Sequence, residues 1–243
     1  DKNNWLIAQS GIQLNQFYGI EQDDYAQESA KLSLWIAQHQ MNVLYKEILN
    51  EERPTLPLSP SGNIIHGNAN YLDWEKFCPK KDGKEIYLIG NPPYLGSSKQ
   101  TKEQKNDMEN VFKGSFGYKN LDYVSCWFLK GSKYIVNSNA ELSFISTKSI
   151  CQGEQVSMLW PHIFNLNLEI SFCYESFKWS NNAKYNAGVT CVIIAIRNKS
   201  NKGKYIFKET SSKKVKNINP YLYEGKNVIV KKETNQIFNL PKM

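Results

Sequence analysis

Apolar and polar positions switch repeatedly between a helical and an extended rhythm along these 243 residues. From Trp5 to Gln16 they mix at helical spacing, and the aromatic run Phe17-Tyr18-Gly19-Ile20 then closes on Glu21, which predicts a helix followed by a buried strand. Asp23 or Asp24 can cap a second helix, in which Tyr25, Ala26, Ala30, Trp35, Ile36, Met41, Leu44 and Ile48 recur at three- and four-residue steps. It should end before the prolines at 54, 57 and 60, which cannot continue a helix. Short apolar runs at Asn63–His66 and Ile86–Gly90 read as strands buried on both faces. A strongly polar stretch, Ser97–Asn110, interrupts the pattern. Beyond it the rhythm predicts a helix from Leu121 to about Val136, and strands at Leu142–Ser146, Leu168–Tyr174 and Val189–Ile196, with a short one at Tyr205–Phe207. Such alternation predicts an α/β fold, a Rossmann-like doubly wound, mostly parallel sheet with helices on both faces.

Composition leaves that reading intact: 41% hydrophobic and 22% charged residues are enough apolar surface for a core and an ordinary charge load. The longest apolar run, 189–196, is far short of the roughly 20 residues of a membrane helix, and no basic-then-apolar leader precedes Trp5, so a soluble, unsecreted protein is expected. The net charge of +7 matters more for its placement than its size. Residues 199–232 hold ten Lys against Glu209 and Glu224, so the whole excess is C-terminal. Lys213-Lys214-Val215-Lys216 fits either a track for a phosphate backbone or a solvated linker. Five scattered cysteines form no C-x-x-C pair and the three histidines stand apart, so neither a disulfide framework, a metal centre nor a Cys/His nucleophile is expected.

In doubly wound sheets ligands bind at the carboxyl ends of strands. Those positions are Glu21, Gly67-Asn68, Asn91-Pro92-Pro93-Tyr94, and the loops after Ser146 and Tyr174. Two consecutive prolines fix their φ angles and remove two backbone donors, leaving a turn rich in acceptors. It suits a substrate that donates. The exocyclic amine of adenine is one, a poor nucleophile until its hydrogens are held out of the ring plane. The Asn91 side-chain oxygen and the Pro92 carbonyl can do that holding, and Tyr94 can stack on a base turned out of the duplex.

Here the chain resembles the class I adenine-specific DNA methyltransferases, in particular the large single-chain enzymes that combine restriction and modification. Besides Asn91-Pro92-Pro93-Tyr94, the resemblance rests on Tyr18-Gly19-Ile20-Glu21, Leu32-Ser33-Leu34-Trp35, His39-Gln40-Met41-Asn42 and Gly67-Asn68-Ala69-Asn70 with Asp73-Trp74. Ser149-Ile150-Cys151-Gln152-Gly153-Glu154 and Ser176-Phe177-Lys178-Trp179 extend it, over roughly residues 5–198. It implies S-adenosylmethionine as cofactor, duplex DNA as partner, no metal, a bacterial cytoplasmic setting, and a late antiparallel strand in the sheet. Residue by residue, it implies that Glu21 binds the cofactor's ribose hydroxyls, Asn68 contacts its adenine, Ile20 or Ala69 flanks that ring, and Asn91 adjoins the cofactor. Asn91, Pro92, Pro93 and Tyr94 are the catalytic turn, and Phe177, with Trp179 as the competing candidate, joins Tyr94 in stacking on the flipped base.

The family's glycine-rich cofactor loop has no counterpart before Glu21, and its sequence-reading domain has none after the last strand. The expectation is a fragment incomplete at its N-terminus: residues 1–198 as a partial catalytic domain, and 199–243 as a basic extension leading toward a target-recognition domain. Such a fragment should bind S-adenosylmethionine weakly or not at all, and the remainder of the restriction-modification polypeptide would be its partner. Two other readings stand beside adenine methylation. One is methyl transfer to another planar amine or amide (a protein glutamine, an RNA base or the cytosine amine); the other is a non-catalytic nucleic-acid-binding domain that uses the Lys-rich tail.

Overall fold

Extended backbone at Asp23 lets its carboxylate accept from the Ala26 N–H at 2.9 Å, which caps helix α1, Asp24–Leu49. At its other end Asn50 turns left-handed (φ 53°) and donates to the Lys46 carbonyl. The computed structural model describes residues 11–50, 62–81, 83–115, 117–178 and 190–231, and the chain divides into two units, Asp1–Cys78 and Pro79–Met243.

In the first unit α1 connects two parallel strands, β1 (Tyr18–Glu21) and β2 (Asn63–His66), in register from Tyr18↔Asn63 to Glu21↔His66. Helix α2, Trp74–Phe77, follows. Within the segment expected to open with a helix, the described part from residue 11 forms a single 3-10 turn, Leu14–Gln16. The apolar rhythm of α1 is real, but none of its residues is buried: Tyr25 is 79% exposed and Ile48 69%. The reason is one of size. A 26-residue helix is about 39 Å long, whereas a four-residue strand spans about 13 Å, so two such strands cover only part of its stripe.

The second unit is built on six strands: β3 (Glu85–Gly90), β4 (Asn139–Thr147), β5 (Leu168–Lys178), β6 (Thr190–Asn198), β7 (Lys204–Phe207) and β8 (Ser212–Val215). Their order is β3-β4-β6-β5-β7-β8. β3, β4, β5 and β7 run one way; β6 lies antiparallel between β4 and β5, and β8 antiparallel to β7. The expected late antiparallel strand is therefore present, with a second at the edge. Helices α3 (Lys102–Phe112), α4 (Ser125–Ile135) and α5 (Gly153–Phe164) complete the unit. On α4, Gly131 stands where an added Cβ would come within 3.1–3.3 Å of Leu142, Phe144 and Leu88, which brings helix and sheet close together. Leu142, Phe144, Val192, Ile194 and Ile196 fill that face.

Three sequence expectations need correction. Neither β2 nor β3 is buried on both faces: β2 has no buried residue, and in β3 Tyr87 and Ile89 are 69% and 79% exposed, because among the described strands β3 is an edge of its sheet and its Leu88 side meets α4. The polar stretch from Ser97 contains α3, started by a capping box between Thr101 and Gln104 and held by a stripe of Asp107, Met108, Val111 and Phe112. The Lys-rich run is not a bare linker. It forms edge strand β8, with Lys213 on Glu224 at 2.7 Å, and lysines on a strand edge discourage pairing with another sheet. The sheet thus continues past residue 198. Among the described residues no helix is long and apolar enough to cross a membrane.

Candidate active site at the strand ends

The Asn91-Pro92-Pro93-Tyr94 turn leaves the carboxyl end of β3 as expected. Asn91 and Pro93 are exposed, Tyr94 is half-buried and Pro92 is buried. No described residue donates a hydrogen bond to the Asn91 side chain or to the Asn91 and Pro92 carbonyls. The acceptors that the two prolines leave behind are unspent. The next residue is firmly held: Leu95 N–H donates to Asp122 Oδ1 at 2.8 Å, and the Leu95 carbonyl accepts from Tyr123 N–H at 3.0 Å and Gln100 Nε2 at 3.1 Å.

The Tyr94 hydroxyl lies beside the Cys191 thiol, which is fully buried at the start of β6. Burial, and then the neighbouring thiol, push the Tyr94 hydroxyl above the ordinary tyrosine value, so it stays a neutral phenol at working pH. Burial likewise raises Cys191, against a smaller opposing effect of the neighbouring Tyr94 hydroxyl. Cys191 is paired across the sheet with Thr147 at the end of β4 and with Phe177 near the end of β5. Directly opposed residues share a face, so Cys191 brings Tyr94 and Phe177 to one side of the sheet.

Phe177 reaches that side through a β-bulge. Tyr174 pairs with Ile193 and Phe177 with Cys191, so three steps along β5 match two along β6. In a regular strand residues 174 and 177 would face opposite ways; here their rings meet edge to face, centroids 5.8 Å apart. Trp179, the competing aromatic, lies outside the described residues.

In the first unit Glu21 ends β1, half-exposed, and its carboxylate makes no hydrogen bond among the described residues. The following turn is tightly built. Gly67 N–H donates to the Glu21 carbonyl at 2.7 Å, and a side chain at Gly67 (φ 156°) would run into Leu72. Asn68 uses its side-chain oxygen to accept from Asn70 N–H at 2.8 Å, and Trp74 Nε1 donates to the Ala69 carbonyl at 2.9 Å. Ile20 is half-buried. An apolar groove of about 490 Å³ in this unit, lined by Leu14, Phe17, Leu34, Met41, Tyr45 and Ile48 among others, includes none of the candidate site residues.

Sequence reading gave no site role to Cys191 or Asp122, and reached Thr147 and Ser149 only as part of the loop after Ser146 and of a motif of the resemblance. Nothing in their spacing gives them a role, because each matters through a partner remote in sequence. Among the described residues no group of three or more His, Cys, Asp or Glu could hold a metal ion.

Comparison with known proteins places this arrangement in a family. Residues 2–208 match the family model described as MmeI, DNA-methyltransferase domain. DNA methyltransferase A of Bacillus subtilis (strain 168) is 49% identical over 234 residues, which is 96% of this chain and 27% of that protein. Among solved structures, the Type IIL restriction-modification enzyme MmeI in complex with DNA superposes with a TM-score of 0.88 at 38% identity, over 95% of this chain and 31% of that one. The chain thus spans about 27% to 31% of the length of these relatives. With a family match over most of its length, this chain belongs to the MmeI DNA-methyltransferase domain family.

Proposed function

We propose that this domain transfers a methyl group from S-adenosylmethionine to the exocyclic N6 amine of adenine in duplex DNA, with the target base turned out of the helix. It would act in the bacterial cytoplasm as part of a longer restriction-modification polypeptide. The observation that carries the reading is the unspent acceptor turn Asn91-Pro92-Pro93-Tyr94, whose aromatic shares the Cys191 side of the sheet with Phe177. Family membership and the DNA-bound relative support the substrate class.

The first unit fits the cofactor's ribose: the Glu21 carboxylate is half-exposed and unspent among the described residues, and a carboxylate accepts from two neighbouring hydroxyls. Ile20 and Ala69 would flank the adenine ring, with Asn68 contacting it from a turn that its own side-chain oxygen holds. When bound, S-adenosylmethionine supplies the electrophilic methyl group.

In the second unit the Asn91 side-chain oxygen and the Pro92 carbonyl accept the two N–H bonds of the amine. That draws its hydrogens out of the ring plane and frees the lone pair. Tyr94 and Phe177 sandwich the base, and because Tyr94 is held neutral it stacks without charge. The methylated amine is acidic enough to release its proton to a carbonyl or to water. The work is positioning rather than acid/base catalysis, in keeping with the scattered histidines.

Tritiated methyl incorporation into DNA, RNA and protein by the full-length polypeptide tests the substrate class. Asn91→Ala should lower incorporation into DNA by about 100-fold or more, the scale on which one preorganised polar group is worth in a transition state, with cofactor affinity unchanged. Label appearing in RNA or protein instead, or an active Asn91→Ala enzyme, would refute the assignment.

A further inference from the structure

Asp122 is 7% exposed and lies in the loop ahead of α4. A carboxylate is seldom buried without partners, and this one is fully engaged. Its Oδ1 accepts from Leu95 N–H at 2.8 Å, and its Oδ2 accepts from the Ser149 hydroxyl at 3.0 Å. The Thr147 hydroxyl stands 3.3 Å from that same Oδ2 and against Ser149. Leu95 immediately follows the Asn91–Tyr94 turn, Thr147 ends β4, and Ser149 lies in the 3-10 turn after it. One side chain therefore ties together the loops at the carboxyl ends of two neighbouring strands.

The backbone around Asp122 is itself pinned. Its N–H donates to Gln155 Oε1 at 3.0 Å, and Gln155 Nε2 donates to the Asn120 carbonyl at 2.7 Å. Gln100 Nε2 bridges the Leu95 and Leu121 carbonyls at 3.1 and 2.9 Å. These bonds make the loop that carries Asp122 a stiff mount. The turn itself has little of its own: its two prolines donate nothing, and its acceptors are unspent. An acceptor that must meet a planar amine at a fixed angle needs an external anchor, and the first one after Tyr94 is the Asp122 carboxylate.

We propose that Asp122 is a positioning residue for methyl transfer, clamping the Asn91–Tyr94 turn to the end of β4 so that its acceptors and Tyr94 stand in register with Cys191 and Phe177. This rests on the methyl-transfer reading above. Asp122→Ala deprives the Leu95 N–H and the Ser149 hydroxyl of their acceptor. Asp122→Asn keeps one oxygen for Leu95, and its amide can donate to hydroxyls that turn round to accept.

In the full-length enzyme, Asp122→Ala should lower the single-turnover rate of methyl transfer by about 100-fold, the order of loss expected from misplacing a reacting group by about an ångström. Cofactor affinity should be unchanged and kcat should fall more than KM rises. Asp122→Asn should restore most of the rate. A merely structural role would lower the amount of active enzyme without this split or this rescue. Independently of activity, hydrogen exchange of the peptide containing Leu95 should accelerate in Asp122→Ala and not in Asp122→Asn. An enzyme that methylates no DNA yet shows this exchange pattern would sink the functional reading and leave the clamp standing. Unchanged exchange at Leu95, or a near-normal rate in folded Asp122→Ala, would overturn the clamp. Should Asp122→Ala fail to fold, Ser149→Ala reads the same anchor from its other side, with a smaller rate loss expected and an unaltered rate counting against the proposal.

Discussion

The bulge in β5 can be tested by removing the residue that creates it. Ser176 is exposed and sits between the Tyr174↔Ile193 and Phe177↔Cys191 pairs, where β5 has one residue more than β6. Deleting it places Phe177 two residues after Tyr174, the spacing at which a regular strand holds both on one face, so the ring should stay opposite Cys191 while the bulge disappears. The sheet loses little. Among the described residues only Phe177 and Lys178 pair beyond the bulge, at about 0.2–1 kcal/mol per cross-strand pair, and the edge-to-face contact with Tyr174, worth about 0.5–1.5 kcal/mol, joins two rings that stay on one face. The Glu175–Lys208 ion pair at 3.3 Å precedes the deletion and contributes little at its exposure. Removing the ring itself costs the site more: stacking of a base on an aromatic side chain is worth about 1–3 kcal/mol, roughly 5- to 150-fold. Phe177→Ala should therefore weaken trapping of the flipped base with cofactor affinity unchanged, whereas deletion of Ser176, which keeps the ring on its face, should trap the base nearly as wild type. Fluorescence of 2-aminopurine placed at the target position and single-turnover methylation by the full-length enzyme measure it. If the deletion variant traps the base as poorly as Phe177→Ala, the extra residue does more than set the face of the ring. If both behave as wild type, Phe177 is not a stacking residue.

Two further outcomes follow from burial. Burial raises the thiols of Cys126, Cys151 and Cys191 and pushes Cys173 up to about 12, with Glu175 adding to the last, while Cys78 is half-buried. A thiol reagent at pH 8 should therefore label Cys78 quickly and the other four only after unfolding, read by peptide mass; two or more fast sites would contradict the packing. Glu169 joins Arg197 at 3.0 Å and Lys204 at 2.9 Å with side-chain exposures of 8%, 12% and 13%. Glu169→Ala strands two buried cations and should cost about 3–5 kcal/mol in urea unfolding, whereas a loss under about 1 kcal/mol would mean that water already screens the cluster.

What was legible in the chain was what neighbours in sequence decide. The short apolar runs located β1, β2 and β3 to within a residue, because strand length and turn residues are local properties. Two successive prolines after Gly90 implied a donor-poor turn at a strand end, which is where it lies. Helix α3 was hidden because only four of its eleven residues are buried, one of them Asp107, so its apolar stripe is too thin to read. Lysines 213, 214 and 216 were ambiguous because charge alone does not distinguish a linker from an edge strand. The gathering of Tyr94, Cys191 and Phe177, and the Asp122 clamp across the ends of β3 and β4, depend on register between segments distant in the chain. Register is set by the packing of the whole sheet, and a one-residue shift reverses which face a side chain occupies. Local pattern therefore named the reactive turn, while tertiary structure chose its companions.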